Sequence, residues 1–408
     1  MKILFILDEF LPENSGGAAN IAFGLAKGLK AQGSEILVLT ATNDKSLVGE
    51  IEIEGIKIRR IYTSPFGKFR NFKSLKNNDI LVDAKIILSE YRPDIIHIHT
   101  LHNRFSYGVI SLAKQFSKAV FLTLHDAQTV YNGKLFPKRK ICELNPEYDY
   151  KINWFDNLKK DGFGYNPFQK FFIKRALKKV NKIFAVSDAL KCALAANGIS
   201  NIETIHNGIN ADEWSGGETT SNPPPFVSNK GWGVLFAGRV DEAKGASVLV
   251  RVFNIVNSEI PDAKLTIVGD GEFNAGGNKN IRVLPWQSRE AMKKIISEST
   301  IVAVPSLYLD PFPTVNLEAM AAGRPIIGTC FGGTPEVVVN NETGYIVNPY
   351  DEKELASKII DLLKHPEKAA KFGQSGRERV ERMFNIDTHV HKTLLWYNKF
   401  IDNEVIHN

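Results

Sequence analysis

Two carboxylates in one short stretch are the first candidates for chemistry in this sequence. The stretch YLDPFPTVNLEAMAAGRPII (308–327) holds Asp310 and Glu318 with seven residues between them. Pro311 and Pro313 disfavour helix around the first acid, because proline fixes its own backbone angle and restricts the residue before it. The pattern predicts an acid in a loop, followed by an acid on a helix.

The helix after that loop can offer its N-terminus to an anion. We expect it to begin near Thr314 or Val315, and the free N–H groups of its first turn could hold phosphate oxygens. Glu318 follows about one turn later, where a carboxylate can accept hydrogen bonds from ribose hydroxyls. A plainer interpretation stays open. In it, Glu318 only complements the helix dipole, worth about 0.3–1 kcal/mol, and Asp310 is a turn residue.

Two cations follow another apolar run in FAGRVDEAKGASVLV. Arg239 falls at the end of an expected strand, and Lys244 comes five residues later, where the next helix should begin. A guanidinium fork and a compact ammonium directed at one strand end suit a diphosphate. The same residues could also be surface cations that flank a turn.

A glycine pair near the N-terminus is a third candidate. Gly16 and Gly17 in LPENSGGAAN open an expected helix, where backbone N–H groups could approach an anion. A helix cap without a ligand explains the glycines equally well. The pattern is not GxGxxG, which argues against a NAD-dependent dehydrogenase.

Histidines end two further apolar runs. DIIHIHTLH carries His97, His99 and His102, and FLTLHDAQ carries His125 beside Asp126. A histidine next to an acid at a strand end is a candidate polar catalytic group. The His-x-His pair also raises the possibility of a metal, but no acid-rich partner set or DxD pair accompanies it, so we predict no metal site.

These candidate residues can meet only if strands bring them to the same edge of a sheet. The apolar runs in the sequence predict such strands. Continuous apolar runs that alternate with helical patterns predict parallel sheet with helices on both faces. The alternation occurs twice, so we predict an α/β protein of two doubly wound, Rossmann-like domains, whose ligands bind at the carboxyl ends of strands. The expected strands are KILFILD (2–8), SEILVLTAT (34–42), DIIHIHT (94–100), AVFLTLHD (119–126), KIFAVSD (182–188), GVLFAGR (233–239), KLTIVGD (264–270), IRVLPW (281–286), TIVAVPS (300–306), PIIGTC (325–330) and GYIVN (344–348).

The expected domain boundary follows the first alternation. We place residues 1–208 and 385–408 in an N-terminal domain and residues 209–384 in a C-terminal domain. The segment SGGETTSNPPPFVSNKG (215–231) is predicted to be a linker or exposed boundary. Residues 127–172 are polar and aromatic, too long for a neutral connection, and are expected to form a functional loop.

Charge and cysteine content bear on partners and location. The formal net charge is +6, but residues 1–210 carry 30 Lys or Arg against 20 Asp or Glu, whereas residues 211–408 carry 21 against 25. Basic residues mixed with Phe suit an anionic membrane surface or an anionic acceptor, although ordinary solvated helix faces are an alternative. Three distant cysteines show no disulfide or metal spacing, so we expect a reducing cytoplasm.

Taken in order, these motifs resemble those of the retaining family-4 glycosyltransferases, over essentially the whole chain. SGGAANIAFGLAKGL is similar to their glycine-rich first loop and helix, and HIHTLH and TLHD to two histidine-bearing strands. IHNGIN (205–210) is similar to their interdomain segment, and FAGRVDEAKG to their Arg/Lys pair. The stretch with Asp310 and Glu318, followed by GGTPEVV, is similar to their block of two acids, which is the most specific feature.

The resemblance implies the GT-B fold, with two domains facing across a cleft in which a nucleotide-diphosphate sugar binds. It implies that Arg239 and Lys244 neutralise the diphosphate and support its departure. Glu318 would hold the ribose and Asp310 the donor sugar. The remaining positions that it implies in the site are Gly16, Gly17, His125, Pro313, Thr314 and Val315.

The resemblance also implies the reaction, a hexosyl transfer with retention of configuration and without a metal or other cofactor. The expected donor is UDP- or GDP-linked, and the acceptor is a glycan or a lipid-linked molecule in surface polysaccharide or glycolipid biosynthesis. We expect a cytoplasmic protein, with contact to the inner face of an anionic membrane through the basic N-terminal domain and no nucleic-acid partner. A nucleotide-sugar epimerase of the same fold and a non-catalytic nucleotide-sugar-binding protein remain alternatives.

Two positions depart from the family pattern. Asp310 stands where the family has Glu, which is one methylene longer, and Pro313 stands where it has Gly. The proline removes one backbone donor from the expected site.

Overall fold

The computed structural model describes residues 1–13, 16–215, 233–271 and 275–402, with the backbone alone at Lys68 and Asp402. The chain divides into two compact units. The first unit comprises residues 1–133, 151–208 and 386–408, and the second comprises residues 134–150 and 209–385. The linker expected at 215–231 lies outside the described residues from 216 onward.

The first unit is built on an eight-stranded sheet with the order β3-β4-β2-β1-β5-β6-β7-β8. Its pairs are parallel except β3 with β4. Both faces of β1 are covered, because Ile3 to Leu7 are all buried, as a continuous apolar run requires. Its strands are β1 (Lys2–Leu7), β2 (Glu35–Thr42), β3 (Gly49–Ile53), β4 (Ile56–Tyr62), β5 (Ile95–Ile98), β6 (Ala119–Leu124), β7 (Lys182–Ala185) and β8 (Ile202–Thr204).

The second unit is built on a six-stranded, wholly parallel sheet with the order β11-β10-β9-β12-β13-β14. Strands β9 and β12 are neighbours at its centre, so the loops that follow them emerge at the same edge. The strands are β9 (Gly233–Ala237), β10 (Lys264–Val268), β11 (Ile281–Leu284), β12 (Ile301–Val304), β13 (Ile326–Thr329) and β14 (Gly344–Val347).

Helices connect the strands in both units. Those of the first unit are α1 (Gly17–Ala31), α2 (Arg70–Lys73), α3 (Asn78–Tyr91), α4 (Gly108–Phe116), α6 (Trp154–Asp161), α7 (Gln169–Leu177), α8 (Asp188–Ala196) and α15 (Ile386–Asp402). Those of the second unit are α5 (Pro146–Asp149), α9 (Ala246–Glu259), α10 (Arg289–Glu298), α11 (Thr314–Ala321), α12 (Thr334–Val337), α13 (Glu352–Lys364) and α14 (Pro366–Met383). The two doubly wound α/β sheets confirm the predicted fold class. None of the helices among the described residues is long and apolar enough to cross a membrane.

The C-terminal helix α15 packs within the first unit. Its Tyr397 is completely buried, and its hydroxyl lies 2.5 Å from His97 Nδ1. A Cβ at Gly28 of α1 would lie 2.4 Å from Cγ2 of Val390, so the glycine allows the close approach of α1 and α15. The tail therefore completes the first hydrophobic core.

Two expectations need correction. Residues 134–150, which we assigned to the N-terminal domain, belong to the second unit. The cysteines, in which we saw no disulfide spacing, include a bonded pair, Cys142–Cys330, separated by 188 residues. Sequence spacing could not reveal this pair, because chain path alone brings the two residues together, with a Cα–Cα distance of 5.3 Å.

Candidate functional site

The loops after β9 and β12 place a cation against an acid. Lys244 ends a 3-10 turn (Glu242–Lys244), and Asp241 caps that turn by accepting a bond of 3.0 Å from the Lys244 N–H. The next residue, Gly245, has φ of 80°, and a Cβ there would lie 2.1 Å from the carbonyl oxygen of Pro305. Glycine is thus required for the turn to pack against the end of β12.

The ion pair of Lys244 and Asp310 is the centre of the site. Lys244 Nζ donates to Asp310 Oδ2 at 2.6 Å, and Ser306 Oγ donates to the same oxygen at 2.9 Å. Burial by itself would lower the pKa of Lys244, but the adjacent Asp310 carboxylate raises this pKa above its ordinary value. Asp310 is almost fully buried, so these two partners replace the hydration that its side chain loses.

A second turn supports the backbone of Asp310. Gly333 N–H donates to the Asp310 carbonyl at 2.9 Å. Gly332 has φ of 70°, and a Cβ there would lie 2.1 Å from the same carbonyl oxygen. Sequence reasoning attached no role to Gly332, although the Gly-Gly pair in GGTPEVV is the signal that could have found it.

Helix α11 begins at Thr314, one of the two predicted starts. Pro313 is its N-cap and contributes no side-chain hydrogen bond. The Asn316 N–H donates to the Pro313 carbonyl at 3.1 Å, so the N–H groups of Thr314 and Val315 are the candidates for a ligand. Pro313 is buried, whereas Thr314 and Val315 are partly exposed. The three positions therefore form the start of the helix, and their contact with a ligand stays a prediction.

Glu318 lies one turn into α11 and is partly exposed. Burial raises its pKa to about 7, against the opposing influence of Arg289 and a hydrogen bond with Thr314. A carboxyl group with this pKa can gain or lose its proton near neutrality. A ligand that donates hydrogen bonds to the carboxylate stabilises its ionised form.

Two more cations belong to this part of the second unit. Arg239 follows β9 and is exposed. Lys134 was missed by sequence reasoning, because it is distant in the chain. It forms an ion pair with Asp241, and its Nζ lies 5.1 Å from the ring centroid of Tyr308. Burial lowers the pKa of Lys134, Asp241 opposes this, and the positive charges of Arg239 and Lys244 lower it further. Lys134 is thus electrostatically coupled to both predicted cations.

The 134–150 segment is held on the second unit by several contacts. Leu135 accepts a bond of 2.8 Å from the Leu309 N–H, directly before Asp310. Asn348 Nδ2 donates to the carbonyl of Lys140 at 2.9 Å. The Cys142–Cys330 disulfide joins the segment to the end of β13. The segment therefore forms one wall of the Asp310 loop.

The first unit holds the glycine pair and the histidines. Gly16 is the N-cap of α1 without a side-chain cap, and Gly17 is the first residue of the helix. Both are partly exposed. They lie where the prediction placed them, at the start of the helix after β1.

His125 follows β6 and forms part of a histidine row. Its Nε2 lies 3.3 Å from His99 Nδ1, and the two rings are stacked. Burial lowers the pKa of His125 to about 4, and it lowers the pKa of His97 and of His99 well below the ordinary value. His125 is therefore neutral at physiological pH and can accept or donate a hydrogen bond, but it carries no positive charge.

Two family models match successive parts of the chain. The model described as Glycosyltransferase Family 4 matches residues 15–213, and the model described as Glycosyl transferases group 1 matches residues 220–379. The chain belongs to the family-4 glycosyltransferases. The resemblance stated from the motifs is thereby confirmed.

The relatives and solved structures similar to this glycosyltransferase agree with that family. An uncharacterized glycosyltransferase of Methanocaldococcus jannaschii is 25% identical over 383 residues, which cover 89% of each chain. Sucrose-phosphate synthase of Thermosynechococcus elongatus has a TM-score of 0.75 at 19% identity and covers 99% of this chain and 100% of its own. Anabaena HepE, solved in complex with UDP and glucose, has a TM-score of 0.69 at 18% identity, with coverages of 98% and 100%. At these identities the structures establish the fold alone, which is GT-B.

Proposed function

We propose that this glycosyltransferase moves a hexosyl group from a UDP- or GDP-linked sugar to an acceptor, with retention of configuration. The proposal rests mainly on the ion pair of Lys244 and Asp310, whose Nζ and Oδ2 atoms lie 2.6 Å apart in the loops after neighbouring strands. Burial takes hydration from both charges, so the pair contributes little net stability by itself. A diphosphate and a sugar hydroxyl together supply the partners that both side chains need.

The donor would bind by exchange of partners. Lys244 and Arg239 would turn to the diphosphate, supported by the N-terminus of α11. Asp310, released from Lys244, would accept hydrogen bonds from the donor sugar hydroxyls, and Glu318 would accept them from the ribose. The crystal structures of the Anabaena protein with UDP and with UDP-glucose support a UDP-linked donor.

Retention follows from attack on the face that the diphosphate leaves. The bond from the anomeric carbon to the phosphate oxygen breaks, and the bond to the acceptor oxygen forms on the same side. The acceptor hydroxyl proton passes to the departing phosphate, so no protein nucleophile is required. Arg239 and Lys244 stabilise the charge that develops on the leaving group, and the proposal therefore includes activity without a divalent metal. His125, neutral, would orient a hydroxyl of the donor sugar.

We also propose the setting of the reaction. The excess of Lys and Arg in residues 1–210 suits a glycan or lipid-linked acceptor of surface polysaccharide or glycolipid synthesis. It also suits work at the inner face of a membrane, whose cytoplasmic leaflet is anionic. The Cys142–Cys330 disulfide removes the cysteine argument for a reducing cytoplasm, so the proposed location rests on charge alone.

The test begins with donor identification by thermal shift with UDP-, GDP-, ADP- and CMP-linked sugars. A ligand at about 100 times its dissociation constant adds about 2.7 kcal/mol of stability, which is readily measured. Transfer is then followed with EDTA present, and the anomeric configuration of the product is read by NMR. Lys244→Ala and Glu318→Ala should abolish transfer, whereas Lys353→Ala on an exposed face of α13 should not.

Other results would favour the alternatives. Conversion of the nucleotide sugar with no acceptor present would indicate an epimerase. Tight binding with neither transfer nor slow hydrolysis would indicate a binding protein. An inverted product would overturn the same-face mechanism, and loss of transfer with EDTA would overturn metal independence.

A further inference from the structure

The first unit carries a group of solvent-exposed aromatic side chains that its own core does not use. Each is at least 49% exposed, and Phe163 is fully exposed. Exposed apolar side chains grouped on neighbouring segments are typical of an interaction site. We define the aromatic–basic surface by these residues: Phe69, Phe72, Trp154, Phe155, Phe163, Phe168, Phe171 and Phe172.

Hydrogen bonds join the segments that carry these rings. The buried Asn71 of α2 donates from Nδ2 to the Gly164 carbonyl at 2.9 Å and accepts at its own carbonyl from Asn166 at 3.4 Å. Lys170 of α7 donates to the Ile152 carbonyl at 3.0 Å, just before α6. Helices α2, α6 and α7 and the turn with Phe163 are thus neighbours in one unit, and the rings of Trp154 with Phe155 and of Phe171 with Phe172 are in contact.

Helices α6 and α7 carry aromatic residues on the side that faces solvent and not on the side that packs against the core. In α7 the buried residues are Ile173 and Leu177, one turn apart, and the opposite side presents Phe171 and Phe172. In α6 the one buried residue is Asn157, whereas Trp154 and Phe155 face solvent. Folding alone does not explain these rings, because exposure gives them no packing energy.

Charge identifies the partner. Residues 66–76 and 154–178 contain ten Lys or Arg and two acids, Asp156 and Asp161. Both acids are engaged locally, since Asp156 accepts from the Asn153 N–H at 2.7 Å and Asp161 accepts from Asn132 Nδ2 at 3.0 Å. Both acids are only partly exposed, whereas five of the cations are exposed, so the outward charge is positive; the five are Lys76, Lys159, Lys160, Arg175 and Lys178. Two copies of this surface would bring like charges together in a symmetric pair, whereas anionic lipid offers negative headgroups and an apolar layer beneath them.

We propose that the aromatic–basic surface is a membrane-docking site, in which the rings insert at the interface of an anionic bilayer and the cations contact its headgroups. The inference sharpens the membrane setting in the proposed function, but it does not depend on sugar transfer. Binding to vesicles is measured without donor or acceptor, so failure of either proposal is distinguishable from failure of the other.

The test is flotation of the full chain with phosphatidylcholine vesicles that contain or lack 30% phosphatidylglycerol, a composition of about one anionic lipid in three. We expect binding to the anionic vesicles, with affinity that falls as salt rises. Phe163→Ser/Phe171→Ser should lower the partition coefficient about tenfold or more per ring. Lys159→Ala/Lys160→Ala should lower it about fivefold per lysine at low salt.

Matched variants control for general effects of each substitution. Leu395→Ser removes an exposed apolar side chain of α15, and Lys353→Ala/Lys371→Ala removes two exposed charges of the second unit. Both should bind as the parent chain does, with unchanged melting temperature in all variants. Absence of binding at low salt, equal binding to neutral vesicles, or equal loss in the controls would overturn the proposal. So would concentration-dependent dimerisation that the Phe163→Ser/Phe171→Ser variant abolishes, since it would assign the surface to a second copy of the chain.

Discussion

Lys244 Nζ lies 2.6 Å from Asp310 Oδ2, and the side chains of the two residues are 20% and 6% exposed, respectively. The two residues are 66 positions apart and follow the neighbouring strands β9 and β12. Each therefore neutralises the other in the free protein. This relationship links the stability of the second unit to the chemistry that we propose for it.

Removal of one member of this pair should cost more than removal of both. We expect Lys244→Met to destabilise the chain by about 3–5 kcal/mol, because it leaves the Asp310 charge buried without its cation. Lys244→Met/Asp310→Asn should recover part of that loss. The free energy of unfolding in urea for the complete double-mutant cycle measures the coupling. Additive effects of the two substitutions would show that the pair is not energetically coupled.

Glu318 should make donor affinity pH-dependent. Because burial raises its pKa to about 7, the carboxyl group is protonated at pH 5.5 and ionised at pH 8. In the ionised form both oxygens accept hydrogen bonds from ribose hydroxyls, whereas in the protonated form one oxygen carries a proton and donates. We expect calorimetric affinity for the nucleotide to rise across this range, and Glu318→Gln to remove the rise.

The same raised pKa has the opposite effect on the stability of the free protein. At pH values between 4.5, the ordinary pKa of Glu, and about 7, the raised pKa of Glu318, the folded state holds a proton that the unfolded state has lost. Stability contributed by Glu318 is therefore present below pH 4.5 and is lost as pH rises toward 7. In Glu318→Gln this part of the pH dependence of unfolding should be missing.

Buried histidines should make the first unit sensitive to acid. Burial lowers the pKa of each of them, so the folded state resists protonation that the unfolded state accepts near pH 6.5. Stability is fully present above pH 6.5 and is lost as pH falls, by about 1.4 kcal/mol per pH unit for each histidine within its window. The five residues are His97 and His99, whose pKa lies well below the ordinary value, His125, with a pKa of about 4, and His102 and His389, each with a pKa of about 3.

Urea unfolding between pH 4.5 and 8 checks the histidine prediction. His389→Gln should flatten the dependence of the free energy of unfolding on pH, because it removes one of these titrating groups. Asp8 acts in the opposite sense, because burial raises its pKa to about 6 and its protonation then favours the folded state at lower pH. Equal slopes in the parent chain and His389→Gln would refute the assignment.

Lys134 should strengthen binding of a diphosphate. Its ion pair with Asp241 and its coupling to Arg239 and Lys244 place a third cation near the proposed donor position. We expect Lys134→Ala to weaken nucleoside diphosphate binding about tenfold, with a smaller effect on the monophosphate, as loss of one charge-assisted bond implies. Lys138→Ala, in the same segment, is the control. Equal effects on both nucleotides would indicate a structural role.

The disulfide should couple reducing conditions to the same site. Cys142–Cys330 holds the 134–150 segment on the second unit, and its removal should lower stability by about 2–4 kcal/mol. We expect reductant to lower the melting temperature and donor affinity together. Cys142→Ser should reproduce this state and no longer respond to reductant, and Cys192→Ser should behave as the parent chain, because Cys192 is not bonded. A melting temperature that reductant leaves unchanged would count against this role.

The order of strands and helices could be predicted because its signal is local. Apolar runs such as KILFIL and helical patterns such as GAANIAFGLAKGL report burial over a few residues. The position of Thr314 as the first residue of α11 was also predictable, since Pro311 and Pro313 stop any earlier start. The positions of Arg239 and Lys244 after β9 and of Asp310 after β12 were also predictable, because strand ends in a doubly wound sheet meet at one edge. Their roles in a binding site stay a prediction.

The sequence by itself therefore determined the two α/β sheets, the family and the residues at their strand ends. Only the tertiary structure decided what those residues contact. Lys134 meets Asp241 across 107 positions, and Cys142 meets Cys330 across 188. Such contacts depend on the three-dimensional path of the chain, and so do the shifted pKa of Glu318 and the exposure of Phe163 and Phe171. The local periodicity of a sequence contains no information about that path.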